Sequence, residues 1–157
     1  MVRQYAAKGR FKPQHTTLGG IAFDSAFEAN VYKALLSIPY YDVERQFAIT
    51  YKPQTKRFKA LSWRCDFRIE TKISNPGGSL FVEAKGAVTK DFLDTMIHLE
   101  YVHSLIFQRL LIVIPDSFPT NERGLKAIKT LERHHLRWCT LSDVRDTVMT
   151  RLGLPNM

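Results

Sequence analysis

Apolar residues at helical spacing mark the first predicted element, a helix that begins at Ser25 and ends before Pro39. Phe27, Val31 and Leu35 recur every four residues and therefore share one face of such a helix. Ser25 suits the N-cap, and the glutamate three residues later completes the pattern of a capping box. Pro39 ends the helix because proline lacks the backbone N–H that a helix interior needs.

Apolar and polar residues alternate in the next part of the chain, which predicts a meander of three strands. The alternation covers residues 43–51 and 63–73, and a short apolar run covers 80–84. Asn-Pro-Gly-Gly at 75–78 is a turn signal that joins the last two strands into a hairpin. Gly86 ends the third strand.

Helices and strands alternate in the second half of the chain. The predicted elements there are a helix capped by Thr89 or Asp91 and reaching Phe107, a buried strand over 109–114, a helix over 121–134, a strand over 136–140, and a final helix that Ser142 caps and Gly153 ends. A meander favours antiparallel pairing, whereas strands separated by helices favour parallel crossovers. The predicted fold is therefore α/β, with a mixed β-sheet flanked by helices.

The length of the chain, 157 residues, suits one domain. Its first twenty residues carry basic side chains and no acidic one. We therefore expect residues 1–20 to form a basic N-terminal arm and residues 21–157 to form a single domain. The arm either contacts a partner or is a solvated tail, and an organellar transit peptide is a third interpretation of the same composition.

Composition and charge narrow the classes of function. Apolar residues make up 45% and charged residues 24%, which excludes a wholly disordered chain. The net charge of +8 favours a polyanionic partner, with nucleic acid first and an anionic membrane surface second. No apolar run is long enough to predict a membrane-spanning helix. The two cysteines indicate no disulfide framework, so we expect a cytoplasmic protein, with an organelle left open.

The strands on either side of the predicted hairpin carry the residues with the most evident chemistry. Asp66 lies within the apolar second strand, and the third strand ends in Glu83 and Lys85. Residues two apart point to the same face of a strand, so Glu83 and Lys85 project together, and Asp66 can reach them from the paired neighbour. Two carboxylates and an ammonium group are therefore expected to meet near the end of the sheet.

This combination has a use in catalysis. Carboxylate oxygens suit Mg²⁺ or Mn²⁺, and a metal held by Asp66 and Glu83 can polarise a phosphate and activate water. Lys85 can then orient the nucleophile and offset negative charge. Glu28, on the first helix, is a further ligand, directly or through water. Each residue also has a structural explanation: a solvated strand edge for Glu83 and Lys85, a surface acid for Asp66, and the capping box for Glu28.

The order of these residues resembles the PD-(D/E)xK nuclease superfamily. Asp66 and the later Glu-Ala-Lys at 83–85 resemble its catalytic motif, with Cys65 at the place of the motif's proline. Residues 20–29 and 44–47 resemble the first helix and the opening strand of phage nucleases in that superfamily. The arrangement is similar to that of bacteriophage endonuclease I, a small enzyme that resolves Holliday junctions.

The resemblance assigns a role to each residue of the predicted site. It implies that Asp66 and Glu83 ligate Mg²⁺ or Mn²⁺, that Glu28 completes the site, and that Lys85 is the catalytic lysine. Gln46 is implied to line the site. The implied fold is a restriction-endonuclease-like nuclease core, and the implied reaction is phosphodiester hydrolysis that leaves a 5′-phosphate and a 3′-hydroxyl.

Nucleic-acid contacts are expected from the basic arm, from the basic loop at 52–59, from the site, and from the start of the helix after Lys85. The residues expected to make them are Lys8, Arg10, Lys12, Gln46, Lys52, Lys56, Arg57, Lys59, Thr89 and Lys90. Basic side chains bind phosphates without reading sequence, and a helix N-terminus offers free backbone N–H groups. A solvated charge run and a plain helix cap are the alternatives for the loop and for Thr89.

The resemblance covers roughly residues 20–115 and favours DNA as the substrate, in particular branched DNA such as a Holliday junction. A junction needs two symmetric cuts, so a resolving enzyme is expected to be a homodimer. A transposon-end or DNA-packaging nuclease that works with partner proteins is a second interpretation, because the end-cleaving subunit of some bacterial transposases is organised similarly. A DNA-binding module without activity is a third.

Overall fold

The computed structural model describes residues 15–39, 41–71 and 78–154. Seven strands and five helices are found there, with a single 3₁₀ turn at Phe118–Thr120. In chain order the elements are β1 (Thr16–Leu18), β2 (Ile21–Phe23), α1 (Ala26–Leu36), β3 (Tyr41–Lys52), β4 (Leu61–Thr71), β5 (Leu80–Ala84), α2 (Lys90–Val102), α3 (Ser104–Gln108), β6 (Leu110–Ile114), α4 (Glu122–Arg133), β7 (Arg137–Thr140) and α5 (Val144–Arg151).

Five strands form one mixed sheet in the order β3-β4-β5-β6-β7. The first three pair antiparallel as a meander, and β5, β6 and β7 pair parallel through helical crossovers. The predicted α/β fold with a mixed sheet flanked by helices is therefore confirmed. None of the helices in the described residues is long and apolar enough to cross a membrane.

Helices cover the sheet on both faces and enclose two apolar cores. On one face, α1 and α5 bury side chains such as Val31 and Val148 against Val82 of the central strand. On the other face, α2 and α4 bury side chains such as Met96 against Phe81. Phe81 and Val82 are consecutive residues of β5, and their side chains lie in different cores because successive side chains of a strand point to opposite faces of the sheet.

The described bounds agree with most predicted elements, correct two of them, and decide between the two caps predicted for α2. The helix expected to run to Phe107 breaks at His103 into α2 and α3, and the ring of His103 donates from Nε2 to the Thr50 carbonyl at 2.7 Å. Thr89 rather than Asp91 caps α2. Ser142 does not cap α5, because its hydroxyl binds the Asp116 carboxylate and Asp143 takes the N-cap position.

A short hairpin precedes α1 and falls across the predicted boundary between arm and domain. β1 and β2 pair antiparallel around Gly19 and Gly20, both of which have positive φ. Glycine adopts that conformation without steric cost, which is why two of them form this turn. Residues 16–20 are therefore part of a β-hairpin rather than of a loosely packed arm, and residues 1–14 lie outside the described part of the chain.

Candidate active site

The predicted acidic residues meet at the point where β4 and β5 separate. The backbone pairing between the strands runs as far as Phe67 opposite Val82. One residue further, the backbone N–H groups bond to side-chain carboxylates of the opposite strand. The Asp66 N–H donates to Glu83 Oε2 at 3.0 Å, and the Ala84 N–H donates to Asp66 Oδ2 at 2.9 Å. Each carboxylate thus accepts a backbone proton from the opposite strand, which fixes the two carboxylates next to each other.

Lys85 joins this pair immediately after β5. Its Nζ lies 2.6 Å from Glu83 Oε1 and 4.6 Å from the centre of the Phe92 ring. The Glu83 side chain is 3% exposed, whereas that of Lys85 is 24% exposed. Lys85 is therefore the member of the pair that a ligand from solvent can reach. Its backbone N–H donates to the Val113 carbonyl at 2.8 Å, which holds the end of β5 against β6.

Helix α1 brings Glu28 to the same place. Ser25 accepts the Glu28 N–H at 3.0 Å, as an N-cap should. The Glu28 carboxylate accepts from the backbone N–H of Asp24 at 3.3 Å, one residue before the partner that a full capping box would use. Its other oxygen faces the site and accepts from Gln46 at 3.3 Å. Glu28 is 4% exposed, so its carboxylate is buried there.

Gln46 connects the acids of α1 and β4. Its Nε2 lies 3.3 Å from Glu28 Oε1 and 3.4 Å from Asp66 Oδ1, and a carboxamide has the two hydrogens needed to donate to both. The φ of Gln46 is 54°, a left-handed conformation within a strand that costs a non-glycine residue on the order of 1 kcal/mol. This strained residue thus lies between two carboxylates of the candidate site.

Burial and mutual repulsion make the carboxyl groups hard to ionise. Burial first, and then the carboxylates of Glu83 and Glu28, raise the pKa of Asp66 to about 8. Burial also raises the pKa of Glu83 and of Glu28. Burial by itself would lower the pKa of Lys85, but the adjacent Glu83 and Asp66 outweigh it, so the net direction is upward. The site therefore holds one ammonium group among three acids that resist losing their protons.

The donor chemistry suits a divalent cation, although the side chains are not gathered into a metal cage. No group of three His, Cys, Asp or Glu side chains among residues 15–39, 41–71 and 78–154 is arranged to hold a metal ion. The carboxylate oxygens accept instead from the Asp66 and Ala84 amides, from Gln46 and from Lys85. Buried, mutually repelling carboxylates are nevertheless hard oxygen donors that a divalent cation stabilises.

A recess of about 230 Å³ opens beside Glu28 and Gln46. Two arginines that were not predicted as site residues line it. Arg45 donates to the Ala22 carbonyl at 2.8 Å and covers the ring of Phe23. The Arg64 side chain is exposed and has no ion-pair or hydrogen-bond partner among the described residues. Arg64 precedes Asp66 by two positions, and that same-face spacing is the signal in the sequence that would have found it.

A larger cavity, about 490 Å³, lies between β7 and α5. Residues such as Cys139, Asp143 and Arg151 line it, and none of the predicted site residues does. Both cysteines are buried with free thiols. Burial first, and then the nearby Glu83, raise the pKa of the Cys65 thiol well above its ordinary value, so Cys65 is a packing residue beneath the site.

Among the described residues, the predicted nucleic-acid contacts other than Gln46 lie outside this cluster. Lys52 is the last residue of β3, and the loop that carries Lys56, Arg57 and Lys59 follows it. This end of the strand lies about 17 Å along an extended strand from the level of Asp66. All four of these residues are exposed at the surface. Lys8, Arg10 and Lys12 lie outside the described residues.

At the start of α2, the predicted contact residues already have partners within the chain. The Thr89 hydroxyl accepts the Phe92 N–H at 3.2 Å and therefore caps the helix. Lys90 pairs with Asp94 at 3.0 Å on the solvent side. Thr89 thus has the structural role that the sequence left open, and the surface pair of Lys90 is weak enough to exchange for another anion.

Similarity between this chain and known proteins is slight. No model of a known protein family matches the chain, and no curated protein matches it. Among solved structures, the chain is similar to protein VC1899 from Vibrio cholerae, with 14% sequence identity and a TM-score of 0.46. That similarity covers 88% of this chain and 38% of the VC1899 chain. The functional interpretation therefore depends on the residues and their geometry.

Proposed function

We propose that the protein is a metal-dependent DNA endonuclease that hydrolyses phosphodiester bonds, with Asp66, Glu83 and Lys85 as its active-site residues. The observation that carries the proposal is the meeting of two buried carboxylates and a reachable ammonium group where β4 and β5 separate. A purely structural explanation would place an ion pair there for stability. Buried ion pairs rarely stabilise a fold more than apolar residues of the same size would, so function is the better reason for keeping this one.

Asp66 and Glu83 would hold Mg²⁺ or Mn²⁺, and Glu28 would complete the site. When bound, the ion would polarise the scissile phosphate and lower the pKa of an attacking water. The residues of the chain prepare this chemistry in the absence of the ion. The backbone N–H groups of Asp66 and Ala84 hold the two carboxylates in place, and Gln46 keeps Glu28 and Asp66 together.

Lys85 is the residue that contacts the reacting phosphate in this proposal. The raised pKa of its ammonium group keeps it charged at neutral pH. A fixed positive charge stabilises the extra negative charge that develops on a phosphate during hydrolysis. Its partial exposure, against the near-complete burial of Glu83, provides the access that a DNA strand needs.

Basic side chains around the cluster support a DNA substrate. The chain carries a net charge of +8, and Arg64 lies on the same recess as Glu28 and Gln46. Phosphate contacts of this kind supply affinity without sequence readout. Within the nuclease class we favour branched DNA, such as a Holliday junction, cut by a homodimer. Two identical sites related by a two-fold axis would place one cut on each of two strands.

The test is a cleavage assay on a four-way junction, a linear duplex and a single strand, in Mg²⁺ and in EDTA. We expect Mg²⁺-dependent cutting, fastest on the junction, and none in EDTA. Asp66→Asn should bind the junction but not cut it, whereas Glu100→Gln, a change at an exposed acid on α2, should cut normally. Wild-type protein that binds DNA without cutting any substrate would instead indicate a non-catalytic binding module or a nuclease that needs partner proteins.

A further inference from the structure

A second recess of about 230 Å³ lies beside the candidate site, between the segment that follows Lys85 and helix α4. The recess borders the site because Gly86, which lines it, directly follows Lys85, and adjacent Cα atoms are about 3.8 Å apart. The residues that matter in its lining are Gly86, Val88, Phe118, Arg123, Lys126 and Thr130. None of them was predicted as a nucleic-acid contact.

The charges in this recess are of one sign. Arg123 and Lys126 line it, and none of the described residues in its lining is acidic. The Arg123 side chain is exposed and has no ion-pair or hydrogen-bond partner in the described part of the chain. Lys126 pairs with Glu122 at 3.0 Å, but both side chains are largely exposed, so the pair is weak and can give way to an anion.

The main chain around the recess adds to its suitability for an anion. A side-chain carbon added at Gly86 would meet nothing within 4 Å, so a ligand can approach the backbone there. Asn121 caps α4 by accepting the Gly124 N–H at 2.6 Å, and the partial positive charge at the start of this helix lies near Arg123. Gly124 packs directly against the main chain of Phe118, which fixes the start of α4 in place.

The other recess beside the site differs in charge. It contains Asp24 and Glu28 together with Arg45 and Arg64, a mixture that suits a cation and a phosphate together. The recess at Arg123 offers two basic side chains and an open glycine backbone, and the acid next to it, Glu122, is an exposed residue outside the lining that pairs with Lys126. Guanidinium and ammonium groups placed in this way are the usual partners of phosphate oxygens.

We propose, resting on the proposed function, that the Arg123 recess binds one phosphate of the DNA strand that is cleaved. This phosphate is the neighbour of the phosphate that is cleaved at Lys85. Arg123 and Lys126 would contact this phosphate on one side and the Gly86 backbone on the other. Holding the neighbouring phosphate would set the register of the strand over Lys85. Both basic residues are therefore binding residues in this proposal and take no part in the bond-breaking step.

The experiment compares two double variants of the full chain that each lose two positive charges from α4. Arg123→Ala with Lys126→Ala removes the cations of the recess, and Lys129→Ala with Arg133→Ala is the matched control outside it. Junction binding is measured in EDTA over a range of salt concentrations. We expect the recess variant to bind about tenfold more weakly and to lose about 1.8 from the slope of log K against log salt.

Cleavage in Mg²⁺ completes the comparison, and thermal unfolding checks that both double variants are folded. The recess variant should cut more slowly at subsaturating protein, and replacing Arg123 by Lys and Lys126 by Arg should restore most of the salt slope, since the charges return. Equal affinities and equal slopes for the two double variants would overturn the recess proposal alone. A different outcome would contradict the proposed function instead: the two double variants differ in binding as expected, but the wild type never cuts DNA.

Discussion

Replacing Asp66 by Asn should make the metal-free protein more stable at pH 8, although it removes a charged residue from the candidate site. The pKa of Asp66 is raised from an ordinary 3.8 to about 8 by burial and by the neighbouring Glu83. The unfolded chain loses this proton near the ordinary value, and the folded chain keeps it until about pH 8. The folded state therefore binds more protons between these limits, and its stability falls as the pH rises through that window.

The size of the effect follows from the shift. A difference of roughly four pKa units corresponds to on the order of 5 kcal/mol over the whole window, and about 2–3 kcal/mol of it is lost between pH 6 and pH 8. For a chain of this length that loss lowers the unfolding temperature by about 5–10 °C. Asn at position 66 has no proton to lose and can still accept the Ala84 N–H, so its stability should not fall for this reason.

The assay is thermal unfolding in EDTA at pH 6 and pH 8 for the wild type, Asp66→Asn and Glu100→Gln. The informative quantity is the pH-dependent drop of the wild type minus that of Asp66→Asn, because every other titratable group is common to the two proteins. Glu100→Gln, which removes an exposed acid, should show the same drop as the wild type. Equal drops for the wild type and Asp66→Asn would refute the claim that ionising Asp66 destabilises the folded chain.

Three further predictions follow from the same structure. Adding Mg²⁺ or Mn²⁺ should raise the unfolding temperature of the wild type more at pH 8 than at pH 6, and an equal rise in Asp66→Asn would contradict a metal site there. Gly124→Ala should lower the unfolding temperature, because the added carbon overlaps the Phe118 main chain, and an unchanged temperature would show that α4 shifts freely. Cys65 should resist a thiol reagent until the protein unfolds, as mass spectrometry of the native protein can check.

The part of the site that lies on β4 and β5 was predictable because a hairpin relates the two strands by a simple register. Alternation places Asp66, Glu83 and Lys85 toward one another once the turn at 75–78 is recognised. The helix cap at Ser25 likewise follows from local residue chemistry. These predictions depend on neighbours that are close in sequence or joined by one turn.

The rest depends on contacts that no local pattern encodes. Gln46 has a left-handed backbone inside a strand, and its two hydrogen bonds join segments 18 and 20 residues away. The helix break at His103 coincides with a hydrogen bond from its ring to the Thr50 carbonyl, across 53 residues. Arg123 lines the same recess as Gly86, the residue that follows Lys85, and the charge pattern along the chain does not reveal this tertiary arrangement.

The most direct test of the central claim is the single-turnover rate at which the wild type and Lys85→Ala cut one labelled four-way junction in Mg²⁺. Both proteins are used at concentrations that saturate the DNA, so that binding does not limit the rate. We expect the variant to be slower by about 100-fold or more, as is usual when a charge-stabilising group is removed from a catalytic site. Cutting by Lys85→Ala at the wild-type rate would contradict the assignment of the active site.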